Sequence, residues 1–150
     1  MHKVLFKKYY ICRLSFYAFF SLIIVVKLHA QGSIYSNESM VIDSGTTLFV
    51  EGNVQLETAN SFITNNGALI VKENWINNSD STGLINNGQG VVKLDGDFQT
   101  ITGNSITKFY QLELNGTNSI KELNNSVYID SLLLLNDAIF ETNDYTVHLL

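Results

Sequence analysis

The strongest constraint on this chain is a phrase that returns every 21 to 23 residues. It runs apolar residue, charged residue, Gly or Asn, then an aromatic or apolar residue. Val50-Glu51-Gly52-Asn53-Val54-Gln55 recurs 44 positions later as Leu94-Asp95-Gly96-Asp97-Phe98-Gln99, with Val71-Lys72-Glu73-Asn74-Trp75 between them. Asn65-Asn66-Gly67 returns 21 residues on as Asn86-Asn87-Gly88. Leu112-Glu113-Leu114-Asn115 returns, also after 21, as Leu133-Leu134-Leu135-Asn136. Anchored on the apolar position, the series Val50, Val71, Leu94, Leu114, Leu135 advances in steps of 21, 23, 20 and 21. Self-similarity at a fixed period of about 20 to 50 residues is the mark of a repeat architecture. It favours a chain wound coil upon coil over a globule built around one cleft.

The local pattern says what each coil is made of. From Ser33 to Leu150 no sustained spacing of three and four separates the apolar residues. Short apolar runs instead alternate with Asn, Gly, Ser, Thr and Asp. The runs are rich in β-branched and aromatic residues, and several alternate with period two, as Val92 and Leu94 do against Val91 and Lys93. The spacing predicts strands over 39–42, 47–50, 54–56, 62–64, 68–71, 75–76, 91–94, 98–101, 109–114, 127–135, 138–140 and 145–150. Asn-Gly at Asn66-Gly67, Asn87-Gly88 and Asn115-Gly116 supplies turn chemistry, since both residues tolerate left-handed backbone. Two-residue hairpins use the same dipeptide, and the chain has no proline to decide between them. The period decides. A hairpin sandwich has no reason to repeat residue types at that distance, whereas a parallel solenoid returns to the same place one layer up, about 4.8 Å away. The expected fold is all-β, a parallel right-handed β-helix or solenoid with coils of about 21–23 residues; the alternative is an antiparallel β-sandwich. Stacked coils would set Asn65 over Asn86 and Asn115 over Asn136 as amide ladders.

The first thirty residues are of another kind. Lys3, Lys7, Lys8 and Arg13 precede an apolar run from Leu14 to Val26 interrupted only by Ser15 and Ser21, and Lys27-Leu28-His29-Ala30 follows. A basic start, an apolar stretch of about 7 to 15 residues and a small residue at the end form the pattern of a secretory signal peptide. The run is shorter than the roughly 20 residues of an ordinary membrane span; an uncleaved N-terminal anchor is the alternative. The organisation expected is a signal peptide over 1–30, an N-terminal cap over 31–44 and solenoid repeats over 45–150. The sequence closes on the apolar Tyr145-Thr146-Val147-His148-Leu149-Leu150, which reads as the interior of a longer solenoid, the alternative being an end on an edge strand.

Cleavage would change the charge and the chemistry. Five of the nine Lys and Arg lie in residues 1–30, while all 14 carboxylates follow. Four lysines against 14 carboxylates leave a net charge of −10 and no arginine. Nucleic acid is bound through clustered Lys and Arg, so it is excluded as an expected partner. The single cysteine, Cys12, is removed with the segment, which leaves no disulfide, thiolate metal site or cysteine nucleophile.

A resemblance follows from the order of these residues. Gly67-x-Leu69-x-Val71-x-x-Asn74-Trp75-x-Asn77, then Gly90-Val91-Val92-x-Leu94-x-Gly96-x-x-Gln99-x-Ile101-x-Gly103, then Phe109-x-x-Leu112-x-Leu114-Asn115 form a recurring module. Val127-x-Ile129-x-x-Leu132-x-Leu134 and Ala138-x-Phe140-x-Thr142-Asn143 continue it. The module resembles repeats of large secreted and cell-surface, adhesin-like β-solenoid proteins of Bacteroidota-type bacteria, over about residues 45–150. The resemblance implies a β-solenoid stalk and export, with surface glycans or other surface proteins as partners. It implies no catalytic residues and no cofactor.

Groups capable of chemistry are few. His148 is the only histidine after residue 30 and lies two residues from the end of the sequence. Asp95 with Asp97, and Asp137 and Glu141 with Asp144, are the carboxylate sets from which a glycosidase pair would be drawn. Asp95-Gly96-Asp97 would also offer oxygens to a calcium ion. Trp75 would be a sugar-stacking platform if exposed; its place in the repeat, in line with Val54 and Phe98, puts it in the core instead. The expected activity is therefore non-enzymatic, with no catalytic, cofactor or metal residues assigned. Carbohydrate binding or cleavage near Asp95, Asp97 and Trp75 is one alternative, and a fragment without independent function is the other.

Overall fold

The computed structural model describes residues 32–79 and 88–150. In chain order the strands are β1 (Ile34–Ser36), β2 (Met40–Ile42), β3 (Thr47–Val50), β4 (Val54–Leu56), β5 (Ile63–Asn65), β6 (Ala68–Val71), β7 (Trp75–Asn77), β8 (Val91–Leu94), β9 (Phe98–Thr102), β10 (Thr107–Asn115), β11 (Ile120–Leu123), β12 (Val127–Asn136), β13 (Ile139–Glu141) and β14 (Val147–Leu149). No helix occurs among the described residues, and so none long and apolar enough to cross a membrane. Among the described residues every strand-to-strand pairing is parallel, with a single isolated antiparallel bridge between Asn115 and Asp137. The chain winds as a β-solenoid of about five turns, and the sandwich alternative is set aside.

Each turn has three faces. The first face carries β2 and β5, then the leading halves of β10 and β12, then β14. Residues 80–87, outside the description, fall between β7 and β8. The second face stacks β3, β6, β8 and the trailing halves of β10 and β12. The third stacks β1, β4, β7, β9, β11 and β13. β10 and β12 each bend across a corner from the first face to the second, where their register shifts between Phe109 and Gln111.

The inward columns are those of the repeat. Val50, Val71, Leu94, Leu114 and Leu135 are paired in register from coil to coil. Leu48, Leu69, Val92, Leu112 and Leu133 form the neighbouring column, and its three central members are fully buried. Period-two alternation turns these residues inward while Val91, Lys93 and Glu113 stay partly exposed. Burying each such side chain contributes about 1.5–3 kcal/mol, so the columns supply the main drive to stack. The predicted bounds of β3, β4, β6 and β8 agree with the structure residue for residue.

The third face departs from the expected register. Val54 pairs with Trp75 as expected, but Trp75 pairs with Ile101 and not Phe98. Trp75 follows Val71 by four positions, whereas Ile101 follows Leu94 by seven. The extra residues extend β9 backwards, and Phe98 through Ile101 pair with Ile120 through Leu123 of β11. Phe98 is thereby an outward residue, 54% exposed. The repeated phrase is equivalent at its first residue, where Val50 and Leu94 share a column, and not at its last. Gln55 stacks towards Ile76 and Thr102, while Gln99 occupies a new inward position.

Two strands lie outside the predicted set, β1 and β11. Residues 31–44, expected as a cap, supply β1 and β2, which pair onto β4 and β5 as a rung of the stack. The expected export segment lies outside the described residues, as does Asn86 of the anticipated Asn65 ladder.

Candidate functional site

The residues with chemical potential gather where the chain turns from β8 to β9. Asp95 and Asp97 flank Gly96 in that corner, Asp95 partly exposed and Asp97 exposed. A Cβ at Gly96 would stand 2.0 Å from the Lys72 carbonyl oxygen, so only glycine allows the two coils to meet there. Lys72 reaches up from the coil below. Its Nζ donates to Asp95 Oδ2 at 2.5 Å and to the Asp95 carbonyl at 2.8 Å, and it lies 5.7 Å from the centre of the Phe49 ring.

Beneath this corner the solenoid interior is polar. Gln99 is fully buried; its Nε2 donates to the carbonyls of Val71 at 3.0 Å and Glu73 at 2.5 Å, and its Oε1 accepts the Gly96 N–H at 2.7 Å. One coil up, in register, sits Lys121, also fully buried, whose Nζ donates to the Gly96 carbonyl. Phe140 continues the column, half-buried. Burial lowers the Lys121 pKa from its ordinary value, because the charged form loses its hydration. The carboxylates of Asp95 and Asp97 oppose the shift, and the Lys72 charge adds to it.

The remaining charged groups are spread along the stack. Lys93 pairs with Glu113 at 2.6 Å and Lys108 with Asp130 at 2.7 Å, each partner lying in the next coil. All four lysines after residue 30 are thus engaged between coils, three in ion pairs and Lys121 inside. Asp137, Glu141 and Asp144 are exposed and occupy separate places: the corner before β13, the end of β13 and the turn before β14. Asp137 holds a left-handed backbone, φ 60°. Among the described residues no three His, Cys, Asp or Glu side chains come together to hold a metal ion. His148 is exposed and stacks on Tyr128 with ring centres 4.5 Å apart.

Trp75 is a core residue. It is fully buried, donates Nε1–H to Thr107 Oγ1 at 3.1 Å and meets the Phe109 ring edge-on at 5.1 Å. Asn77 beside it donates to the same hydroxyl at 3.2 Å and to the Ile106 carbonyl at 3.1 Å. A buried indole offers no face to a sugar, which removes Trp75 from any carbohydrate site.

Asparagines act as rung connectors. Asn136 Nδ2 donates to Asn115 Oδ1 at 2.7 Å, the amide ladder expected from the sequence. Asn53 Oδ1 accepts the Asn74 N–H at 2.9 Å, and Asn74 Oδ1 in turn accepts the Thr100 N–H at 2.8 Å. Asn78 Oδ1 accepts the Asn104 N–H at 3.3 Å. Asn53, Asn74 and Asn78 thus each accept a backbone N–H from the next coil, and Asn136 and Asn115 join side chain to side chain.

Lys121 and Gln99 were not singled out by sequence reasoning. A signal existed for one of them: Ile120-Lys121-Glu122-Leu123 keeps strand length and apolar ends, with a charge at the position that alternation turns inward. For Gln99 the apparent match to Gln55 pointed the wrong way. No known family, curated protein or solved structure matches this chain.

Proposed function

We propose that this chain is a non-enzymatic structural or adhesive segment of an exported bacterial protein, displayed outside the cell or at the outer-membrane surface. The observation that supports the reading best is how its polar side chains are used. Lysines, asparagines and Gln99 link one coil to the next, which suits a rigid spacer. The outer surface carries an excess of carboxylates, compatible with a solvated exterior and unsuited to nucleic acid. The basic and apolar N-terminal segment supplies the route of export, with cleavage after Ala30. Surface glycans or other surface proteins are the partners such a segment would meet.

Expression of the full chain in a Gram-negative host, followed by fractionation and N-terminal sequencing, tests the export reading. The expected product starts at Gln31 and lies outside the inner membrane; a full-length product held in the cytoplasm would refute it. Incubation with polyuronides tests the non-enzymatic reading. Cleavage that Asp97→Ala abolishes would replace it with a carbohydrate-active function.

A further inference from the structure

The strands of the second face are apolar on their outward side as well as their inward one. Ala68-Leu69-Ile70-Val71 and Leu132-Leu133-Leu134-Leu135 are unbroken apolar runs, the pattern of parallel strands covered on both faces. Alternation turns every second residue outward, and these residues stack in two columns. One column reads Ile70, Lys93, Glu113, Leu134, and its neighbour reads Ala68, Val91, Gln111, Leu132. The four rungs are joined by direct pairings, β6 to β8, β8 to β10 and β10 to β12. Leu132 and Leu134 are 44% and 38% exposed, and Ala68, Ile70 and Val91 are partly exposed. The charges in the two columns are those of Lys93 and Glu113, paired with each other at 2.6 Å.

We propose that this outward face binds the same face of a second copy of the chain across a two-fold axis. The order of residues in the columns selects both the occupant and the axis. An axis parallel to the strands, running between β8 and β10, sets the two faces against each other, keeps strand direction and reverses strand order. Lys93 of each copy then lies opposite Glu113 of the other, so two ion pairs become one ring of alternating charge. Ile70 lies opposite Leu134 of the second copy, and Ala68 opposite its Leu132, small against large. Moving the axis onto β8 would set Lys93 against Lys93, and onto β10 Glu113 against Glu113; repulsion between like charges rejects both registers. The column is therefore complementary to its own reverse, which is what an isologous contact requires, and such a contact closes at two copies. Four strands about 4.8 Å apart, each presenting about 13 Å of length, make a plate of about 250 Å² on each copy. Stable complexes bury about 800 Å² a side, so this dimer is a weak one that forms where the chain is concentrated.

Sedimentation equilibrium on the full chain, followed up to about 1 mM, tests this. The wild type should pass reversibly from monomer to dimer and no further. Leu134→Glu should weaken the dimer by about tenfold or more, because it sets a carboxylate against Ile70 of the second copy. Glu113→Lys and Lys93→Glu should each do the same, because each gives all four charges of the ring one sign. Mixed in equal amounts, those two variants should form a heterodimer within about threefold of wild-type affinity, since opposite charges again meet at both places. Circular dichroism melts establish that the variants are folded. If a charge variant does not fold, Leu134→Glu carries the test, since that side chain already points outward. A wild type that is monomeric throughout means that something other than a second copy covers the face, and overturns the proposal. So does growth past the dimer, association that Leu134→Glu leaves intact, or a mixture of folded charge variants that associates no better than either alone.

Discussion

Replacing Lys121 with methionine separates the two things that a buried lysine can do for this fold. The ammonium donates to the Gly96 carbonyl, a charge-assisted bond worth about 1.5–3 kcal/mol. Against that stands the loss of hydration, several kcal/mol for a buried ion, partly offset by the Asp95 and Asp97 carboxylates. Methionine keeps nearly the same stem and removes the charge. Gly96 is only partly buried, so water can take over its carbonyl. The balance predicts that Lys121→Met is neutral or stabilising by about 1 kcal/mol near pH 7. Lys121→Ala, which also removes the stem, should cost about 2–5 kcal/mol. The pH dependence provides the sharper signature. Because the folded-state pKa lies below the unfolded value of 10.5, the unfolded chain holds more protons between the two. Stability must then rise with pH across that window and level off above 10.5; at full proton difference the slope is about 1.4 kcal/mol per pH unit. Urea unfolding of wild type and Lys121→Met from neutral pH upwards gives the comparison, with the variant correcting for tyrosine titration. The wild type should gain stability relative to the variant as pH rises. A methionine variant as unstable as the alanine one, or a difference that does not change with pH, would refute the account of Lys121 as a charge buried at a cost.

Other positions give further tests by urea unfolding. Leu112→Ala removes a fully buried member of a central column and should cost about 2–5 kcal/mol. Gly103→Ala should cost about 2 kcal/mol or more, because Gly103 has φ +121° and its new Cβ would stand 2.0 Å from the Asn77 carbonyl oxygen. Asp137→Gly relieves a left-handed backbone and should stabilise by a few tenths of a kcal/mol up to about 1. A double-mutant cycle on Lys93 and Glu113 should return a coupling of about 1 kcal/mol or less, falling as salt is added.

Much of the fold was legible because the second face obeys one rule throughout. Val54 follows Val50 and Trp75 follows Val71 by four positions, and period-two alternation gives each strand one inward edge, so position in the phrase equals position in the coil. The first coil to break that equality is the one where the sequence misled. Phe98 occupies the place of Val54 in the phrase, yet Leu94-to-Ile101 is longer by three residues, so the aromatic falls outside and the glutamine after it falls inside. Nothing in a local window reports such a slip, because the register of β9 is fixed by its pairing with β11, more than twenty residues away. The interior polar cluster was hidden for the same reason. A glutamine in a short strand reads as an outward residue until the strand's partners are known, and for Lys121 the only local hint is the alternation of Ile120 to Leu123.

The slip also explains why that interior is polar at all. Lengthening a corner widens the coil, and the coil below, turning from Val71 to Trp75 in four residues, is not widened with it. The two cross-sections then fail to superpose. The carbonyls of Val71 and Glu73 in the narrower coil reach the added space, that of Val71 while also accepting the Asp95 N–H. An apolar side chain there would remove the Glu73 carbonyl's bond and the second bond to Val71, at about 1–3 kcal/mol where water does not replace them. The amide of Gln99 bonds both carbonyls and the Gly96 N–H together, standing in for the stretch of strand that the narrower coil lacks. Lys121, one coil further up, does the same for the Gly96 carbonyl. At Phe140 the column returns to an apolar side chain, although the corner shortens again, from seven positions between Leu114 and Lys121 to five between Leu135 and Phe140. In this column the buried polar side chains, Gln99 and Lys121, sit at the lengthened corners, which is a structural cause for groups that in a uniform stack would have suggested a site.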